Sequence, residues 1–187
     1  METAQALFHA HSYDNVGVTL LAREIGIEQP SLYSAFGNKL GIFAAAVERY
    51  ASSDGAFIAE AFSSSKTVKQ GLRNMLKAAA TNYSREGSSA GCLIMEGAYG
   101  THDEGARSLC VNMRAATEAF IADYVERGHP GHGTNVSAMT MIALAGLSAS
   151  ARAGMTSDQL LEFARIAANG LCELLADRGP TLSKKRD

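Results

Sequence analysis

The chain has 187 residues, with 17 Lys and Arg against 19 Asp and Glu, a formal charge of −2, and 47% hydrophobic residues. That length builds one domain, or a small domain fused to a larger one, and the charge excludes a polybasic coat for nucleic acid or membrane without excluding a reader that places a few donors well. No stretch approaches the roughly 18 apolar residues of a membrane span, and no signal-peptide pattern opens the chain, so a soluble cytoplasmic protein is expected.

The 32 Ala residues against 3 Pro predict an all-α chain, because Ala is the best helix former and Pro the worst. A first helix is expected over residues 4–11 with Leu7 and Phe8 on its apolar face, ended by the turn cluster Ser12-Tyr13-Asp14-Asn15. Val18, Leu21, Ala22 and Ile25 follow the i, i+3, i+4, i+7 spacing of one helix face, and Gly26 stops that helix. A short helix follows from about Gln29 to Phe36, with Pro30 in its first turn, where a missing N–H costs little. After Gly37-Asn38, one long helix is predicted from Lys39 towards Phe62. Further helices are predicted over about 67–85, 92–100, 103–126, 135–153 and 157–177, with Asp103 as a cap. Glu86–Gly91 and Gly128–Gly133 are read as flexible links, and residues 181–187 as a charged, disordered tail. Gly71, Gly146 and Gly170 lie inside helical patterns, where they allow close helix crossings. The last two helices are apolar over more than one stripe, so a second buried face, and hence a homodimer, is expected.

Residues 18–37 carry the strongest local signal. Ala22 is a small residue where two helices cross, Gly26 sits in the turn, and Leu32 locks the second helix down, with Leu21, Ile25 and Ile27 as further apolar anchors. Those are the needs of a helix-turn-helix, whose second helix enters the major groove. The run Leu32-Tyr33-Ser34-Ala35-Phe36-Gly37-Asn38-Lys39 completes a Leu-Tyr-x-x-Phe-x-x-Lys pattern, with Phe8 and Phe43 as flanking aromatics. Over residues 4–50 the chain resembles the N-terminal domain of the TetR family of transcriptional regulators.

The resemblance implies an all-α homodimer. Residues 1–45 would form a three-helix DNA-binding domain and residues 46–180 a helical ligand-binding and dimerisation domain. By matched position, Gln29, Pro30, Ser31 and Tyr33 would face double-stranded operator DNA, Thr19 would approach from the preceding helix, and Lys39 would hold a phosphate. The chemistry agrees: Gln pairs with adenine, hydroxyls bond phosphate, and Lys neutralises it. Tyr33 has a competing role as a core aromatic. Gly91-Cys92-Leu93 and Gly146-Leu147-Ser148-x-x-Ala151-Arg152-x-Gly154 further resemble a subgroup whose relatives include repressors responding to electrophiles, oxidants or copper.

The chain departs from the family pattern in places. Gly17 and Glu28 stand near the positions where the family has Ser or Thr caps. Residues 1–50 hold Arg23, Lys39 and Arg49 against Glu2, Asp14, Glu24, Glu28 and Glu48, a net of −2. Met1 falls inside the first helix, so the basic arm the family carries ahead of it is expected to be missing from this sequence.

In the larger domain, Cys92 after Gly91 marks a helix N-terminus, which favours a reactive thiolate; a small buried packing residue is the other reading. Cys110 and Cys172 lie on apolar faces, and none of the three cysteines has CxxC spacing, which fits a reducing compartment. Met95, Tyr99, Met113, Phe120 and Tyr124 are candidates to line an apolar pocket for a small effector, or to be ordinary core. His129 and His132 lack the further ligand a metal needs, so no metal or cofactor is expected. GxSxG, HExxH and GxxxxGK[ST] are absent, and Cys92 with His102 is the one conceivable thiol catalyst, so an enzyme is not expected. The rival reading is a helical dimer that binds a ligand or partner but not DNA.

Overall fold

A computed structural model describes residues 1–84 and 90–175. The Glu86–Ser89 part of the first link, the last residues of the helices predicted to end at 85 and 177, and the 181–187 tail lie outside the described residues. Among the described residues the chain forms ten helices and no strand. None of these helices is long and apolar enough to cross a membrane.

Three helices and the start of a fourth make the N-terminal unit: α1 (Glu2–Asn15), α2 (Val18–Ile25), α3 (Gln29–Phe36) and α4 (Lys39–Ser52). The break predicted at Ser12 is present as a single residue at φ 64, ψ 164, after which the helical geometry resumes. Tyr13 thereby joins Phe8 and Phe43 in an aromatic knot, with ring centroids 5.0 Å apart for Phe8–Phe43 and 4.9 Å for Tyr13–Phe43. Edge-to-face pairs of this kind add to the area they bury. Gly26 closes α2 in the left-handed conformation, φ 79, and its N–H donates to the Ala22 carbonyl at 2.9 Å. Leu21, Ala22 and Leu32 are buried around that turn, as the spacing requires. Ile27 is not an anchor: it is 42% exposed, because it follows the left-handed turn and leaves the core side. Gly17 and Glu28 cap α2 and α3 by position alone, without a side-chain hydrogen bond.

The helix predicted from Lys39 to Phe62 is two helices. Hydroxyls of Ser52 and Ser53 donate to the Arg49 carbonyl, at 3.0 and 2.8 Å, and the Gly55 N–H folds back to the Tyr50 carbonyl at 2.8 Å. Such side-chain bonds compete with the helical ladder and end it at Ser52. The chain resumes as α5 (Phe57–Ser63), which packs on α6 (Val68–Tyr83). A Cβ at Gly71 would stand 2.5 Å from the Phe62 ring, so this glycine permits that crossing. Gly146 and Gly170 serve no such crossing within the chain, since a Cβ would meet only Phe163 at 3.8 Å and nothing within 4 Å, respectively.

The larger unit continues with α7 (Leu93–Gly100), α8 (Glu104–Gly128), α9 (Gly133–Arg152) and α10 (Ser157–Leu174). Leu72, Met75, Leu76, Met141, Leu147 and Leu160 are fully buried where α6, α9 and α10 meet. Asp103 caps α8 by accepting from Ala106 N–H at 2.9 Å. The 128–133 link is short and clamped, with the Glu126 carboxylate accepting from Gly131 N–H at 2.7 Å and Gly133 N–H at 3.0 Å.

The two motif halves in this unit meet in space. Gly91 has φ +83, and a Cβ there would lie 2.9 Å from the Ser148 carbonyl oxygen and 3.1 Å from Arg152 Cγ. The next N–H, that of Cys92, donates to Ser148 Oγ at 2.9 Å. Gly-Cys-Leu and the Ser148–Arg152 turn of α9 are therefore the two sides of one joint, which only glycine fits.

Candidate nucleic-acid interface and effector cavity

The outer face of α3 is polar and open. Pro30, Ser31 and Tyr33 are exposed, and Gln29 is half-buried, donating from Nε2 to Thr19 Oγ1 at 3.1 Å. Thr19, itself exposed on α2, thus orients the one residue of the group able to read adenine with two hydrogen bonds. Tyr33 is 46% exposed and takes no core role, because the adjacent Leu32 fills the place beneath the helix.

Charge is scarce on this face. Arg23 pairs with Glu24 at 2.8 Å, and Arg49 bonds Gln5 Oε1 at 2.6 Å and reaches Glu2 at 3.4 Å. The Lys39 ammonium rests 4.1 Å from the centroid of the Tyr13 ring, and partial burial pulls its pKa below the usual lysine value. Asn38 caps α4 by accepting from Gly41 N–H at 2.9 Å.

A cavity of about 330 Å³ opens in the larger unit, and Cys92, Met95, Met113 and Phe120 are among the residues lining it. The other two predicted lining residues are elsewhere. Tyr99 is 65% exposed, at the far end of α7 from Cys92, and Tyr124 points its ring at Phe62, 4.5 Å between centroids, and donates its hydroxyl to the Phe62 carbonyl. Helical spacing put both on apolar stripes, but those stripes face other neighbours. Tyr50, Tyr83 and Arg114 also line the cavity and carried no sequence signal. The Tyr50 and Tyr83 phenols lie beside the Cys92 thiol, and burial, with Cys92 next, pushes both pKa values well above 10, so both stay protonated at neutral pH.

Cys110 and Cys172 are buried. Burial pushes the Cys110 thiol up to about 12, so it stays a neutral packing group. His102 is not placed for thiol catalysis. It and Cys92 flank opposite ends of α7, and its ring and backbone N–H bond Asp14 Oδ2 at 3.0 and 2.8 Å. The His129 and His132 rings are 6.4 Å apart, and no group of three metal-ligating side chains exists among the described residues.

Two joints connect α7 to the N-terminal unit. At the first, Arg152 donates to the His9 carbonyl at 2.8 Å and pairs with Glu96 of α7 at 3.1 Å, while the His9 ring lies beside the Gly91 backbone. At the second, Asp14 of α1 holds His102 just beyond the end of α7. α4 passes from one unit to the other unbroken, so the division expected at residue 45 falls inside a helix.

Comparison with known proteins bears on this geometry. Residues 1–46 match the sequence profile described as bacterial regulatory proteins, tetR family. The HTH-type transcriptional repressor BdcR of Escherichia coli (strain K12) is 34% identical over 177 residues, covering 95% of this chain and 89% of that protein. The HTH-type transcriptional repressor ComR of the same organism is 27% identical over 174 residues, 88% of this chain and 83% of ComR. A cysteine mutant of the TetR family transcriptional regulator CifR, solved with 26-bp double-strand operator DNA, superposes with a TM-score of 0.83 at 21% identity, covering 90% of this chain and 92% of that one.

The His9 joint makes stability depend on pH. Burial, and then the nearby Arg152 charge, lower the His9 pKa from 6.5 to about 4. Between those values the unfolded chain binds a proton that the folded chain refuses, so stability falls as pH drops through that window. His9 should cost about 2 kcal/mol between pH 7 and pH 5. Urea unfolding of wild type and His9→Gln at the two pH values checks this: the variant should lose that much less, and equal losses would contradict it.

Proposed function

The chain is a member of the TetR family of bacterial transcriptional regulators, and we propose that it is a DNA-binding repressor, not an enzyme, working in the cytoplasm as a homodimer on a palindromic operator. The observation that carries this reading is the exposed α3 face, with Gln29 held by Thr19. It lies in the segment that matches the family, on a chain similar over most of its length to a repressor. Residues 1–45 act as the reading head and residues 46–180 as the effector and dimerisation part.

Gln29 reads a base edge. Thr19, Ser31, Tyr33 and Lys39 bond phosphates, with Pro30 setting the first turn of α3. Lys39 exchanges the Tyr13 ring for a phosphate when DNA arrives. Amide N–H groups at the starts of α3 and α4 supplement this short supply of cations. The dimer forms through α9 and α10, where Met139, Ile142, Phe163 and Ile166 are exposed on adjoining faces. Gly170 leaves that surface flat, which a helix crossing from a second copy would use.

The cavity takes a small effector, against Met95, Met113 and Phe120 among others. Cys92 is its chemical trigger, a thiol facing two phenols at the joint between α7 and α9. A bulky adduct on its sulfur displaces the start of α7, and with it the Gly91–His9 contact. Either event shifts the population towards heads spaced wrongly for the operator.

Two experiments test this reading. On a duplex selected by the protein from a random library, Gln29→Ala should lose about 1–3 kcal/mol of preference at one base position. Tyr33→Ala, Lys39→Ala and the dimer-splitting Ile142→Glu should weaken binding to all sequences; unchanged binding in all four removes the reading head. Absence of any selected duplex at low salt would favour a dimer that binds only a ligand or partner. In the second, wild type on its duplex should be released by N-ethylmaleimide while Cys92→Ser stays bound; equal release would rule out Cys92 as the trigger.

A further inference from the structure

The polar groups in the cavity are of one kind. Arg114, on α8, is the one charged side chain among the described residues lining it. Its Nε is buried with no hydrogen-bond partner, and no described carboxylate pairs with the guanidinium. Its Cζ lies 5.9 Å from the centroid of the Tyr99 ring. Tyr50 and Tyr83 add two protonated phenols. The Thr117 hydroxyl is already spent on the Met113 carbonyl at 3.1 Å. No Asp, Glu, Asn or Gln side chain lines the space.

An apolar cavity that offers donors and a positive charge, but no side-chain carboxylate or amide acceptor, is complementary to an acceptor-rich anion on an apolar body. Charge-assisted bonds from a guanidinium fork to a carboxylate are the strongest pairing available to it, and a half-buried Arg gains more from them than an exposed one. The volume of about 330 Å³ suits a small organic molecule rather than a peptide. Met95, Met113 and Met141 supply adaptable walls that accept either a chain or a ring.

We infer that the cavity binds a small apolar carboxylate, its body among the methionines and Phe57 and its carboxylate on Arg114. The inference rests on the reading of this cavity as the effector site and names the chemical class of the effector. A neutral apolar molecule of the same size binds more weakly, because it leaves the guanidinium without an acceptor.

The test is calorimetry on the full chain with hexanoate, octanoate and 4-phenylbutyrate, each against its primary amide, followed by release of the selected duplex. At least one acid should bind wild type tenfold or more tightly than its amide. Arg114→Gln should abolish that preference with the melting temperature kept, and Arg114→Lys should keep part of it. Amides that match their acids on wild type, a preference that survives in Arg114→Gln, or no binding in either series overturns the proposal. Acids that bind through Arg114 yet leave the duplex bound uphold the ligand class and overturn the effector reading. Amides that release the duplex as well as the acids do the reverse.

Discussion

One helix belongs to both ends of the molecule. α4 begins at the Asn38 cap, beside the end of α3, and runs without a break to Ser52, carrying Tyr50 and Ala51 into the cavity wall. At 1.5 Å per residue its 14 residues span about 21 Å, and a regular helix over that distance moves as a rod. On the proposed reading, a displacement of Tyr50 would be carried along α4 to its start, and from there to the Leu32–Phe36 end of α3. α7 repeats the link along a second line, tied through Glu96 and Arg152 to the His9 carbonyl and at its other end through His102 to Asp14. On the proposed reading, a ligand or adduct at Cys92 would press on both lines at once, and a cavity with no contact to the DNA face would reach it that way.

The reading head works with little charge. Its cations are engaged with Glu24, with Gln5 and Glu2, and with the Tyr13 ring. On the proposed reading, hydroxyls, one amide and helix ends would supply the contacts made from within residues 1–50, and such groups contribute less non-specific attraction than free cations do.

How much of this was legible in the chain depends on the range of each interaction. Ala22, Gly26 and Leu32 report contacts made within ten residues, so their spacing alone marks the turn. Gly91-Cys92-Leu93 and Ser148–Arg152 were visible as two motifs, but their meeting was not, since the Cys92–Ser148 bond spans 56 residues. Tyr50, Tyr83 and Arg114 were missed for the same reason: each sits in an ordinary helical pattern, and only the packing of α4, α6 and α8 turns them to one space. Tyr99 and Tyr124 show the converse error, because an apolar stripe tells which residues are turned inward but not which neighbour they meet. The Ser52–Gly55 break was passed over because apolar residues continue on its far side, while the hydroxyl-to-carbonyl bonds that end α4 leave no mark on periodicity.

The central claim is that head and cavity are mechanically coupled through α4 and α7, and coupling free energy is reciprocal. Hydrogen–deuterium exchange on the full chain, free and bound to a duplex selected by the protein, tests that claim without knowing the effector. DNA binding should slow exchange at amides 47–52 and 92–100, far from the nucleic acid, as well as in α1 to α3. Protection confined to residues 1–45 would contradict the account.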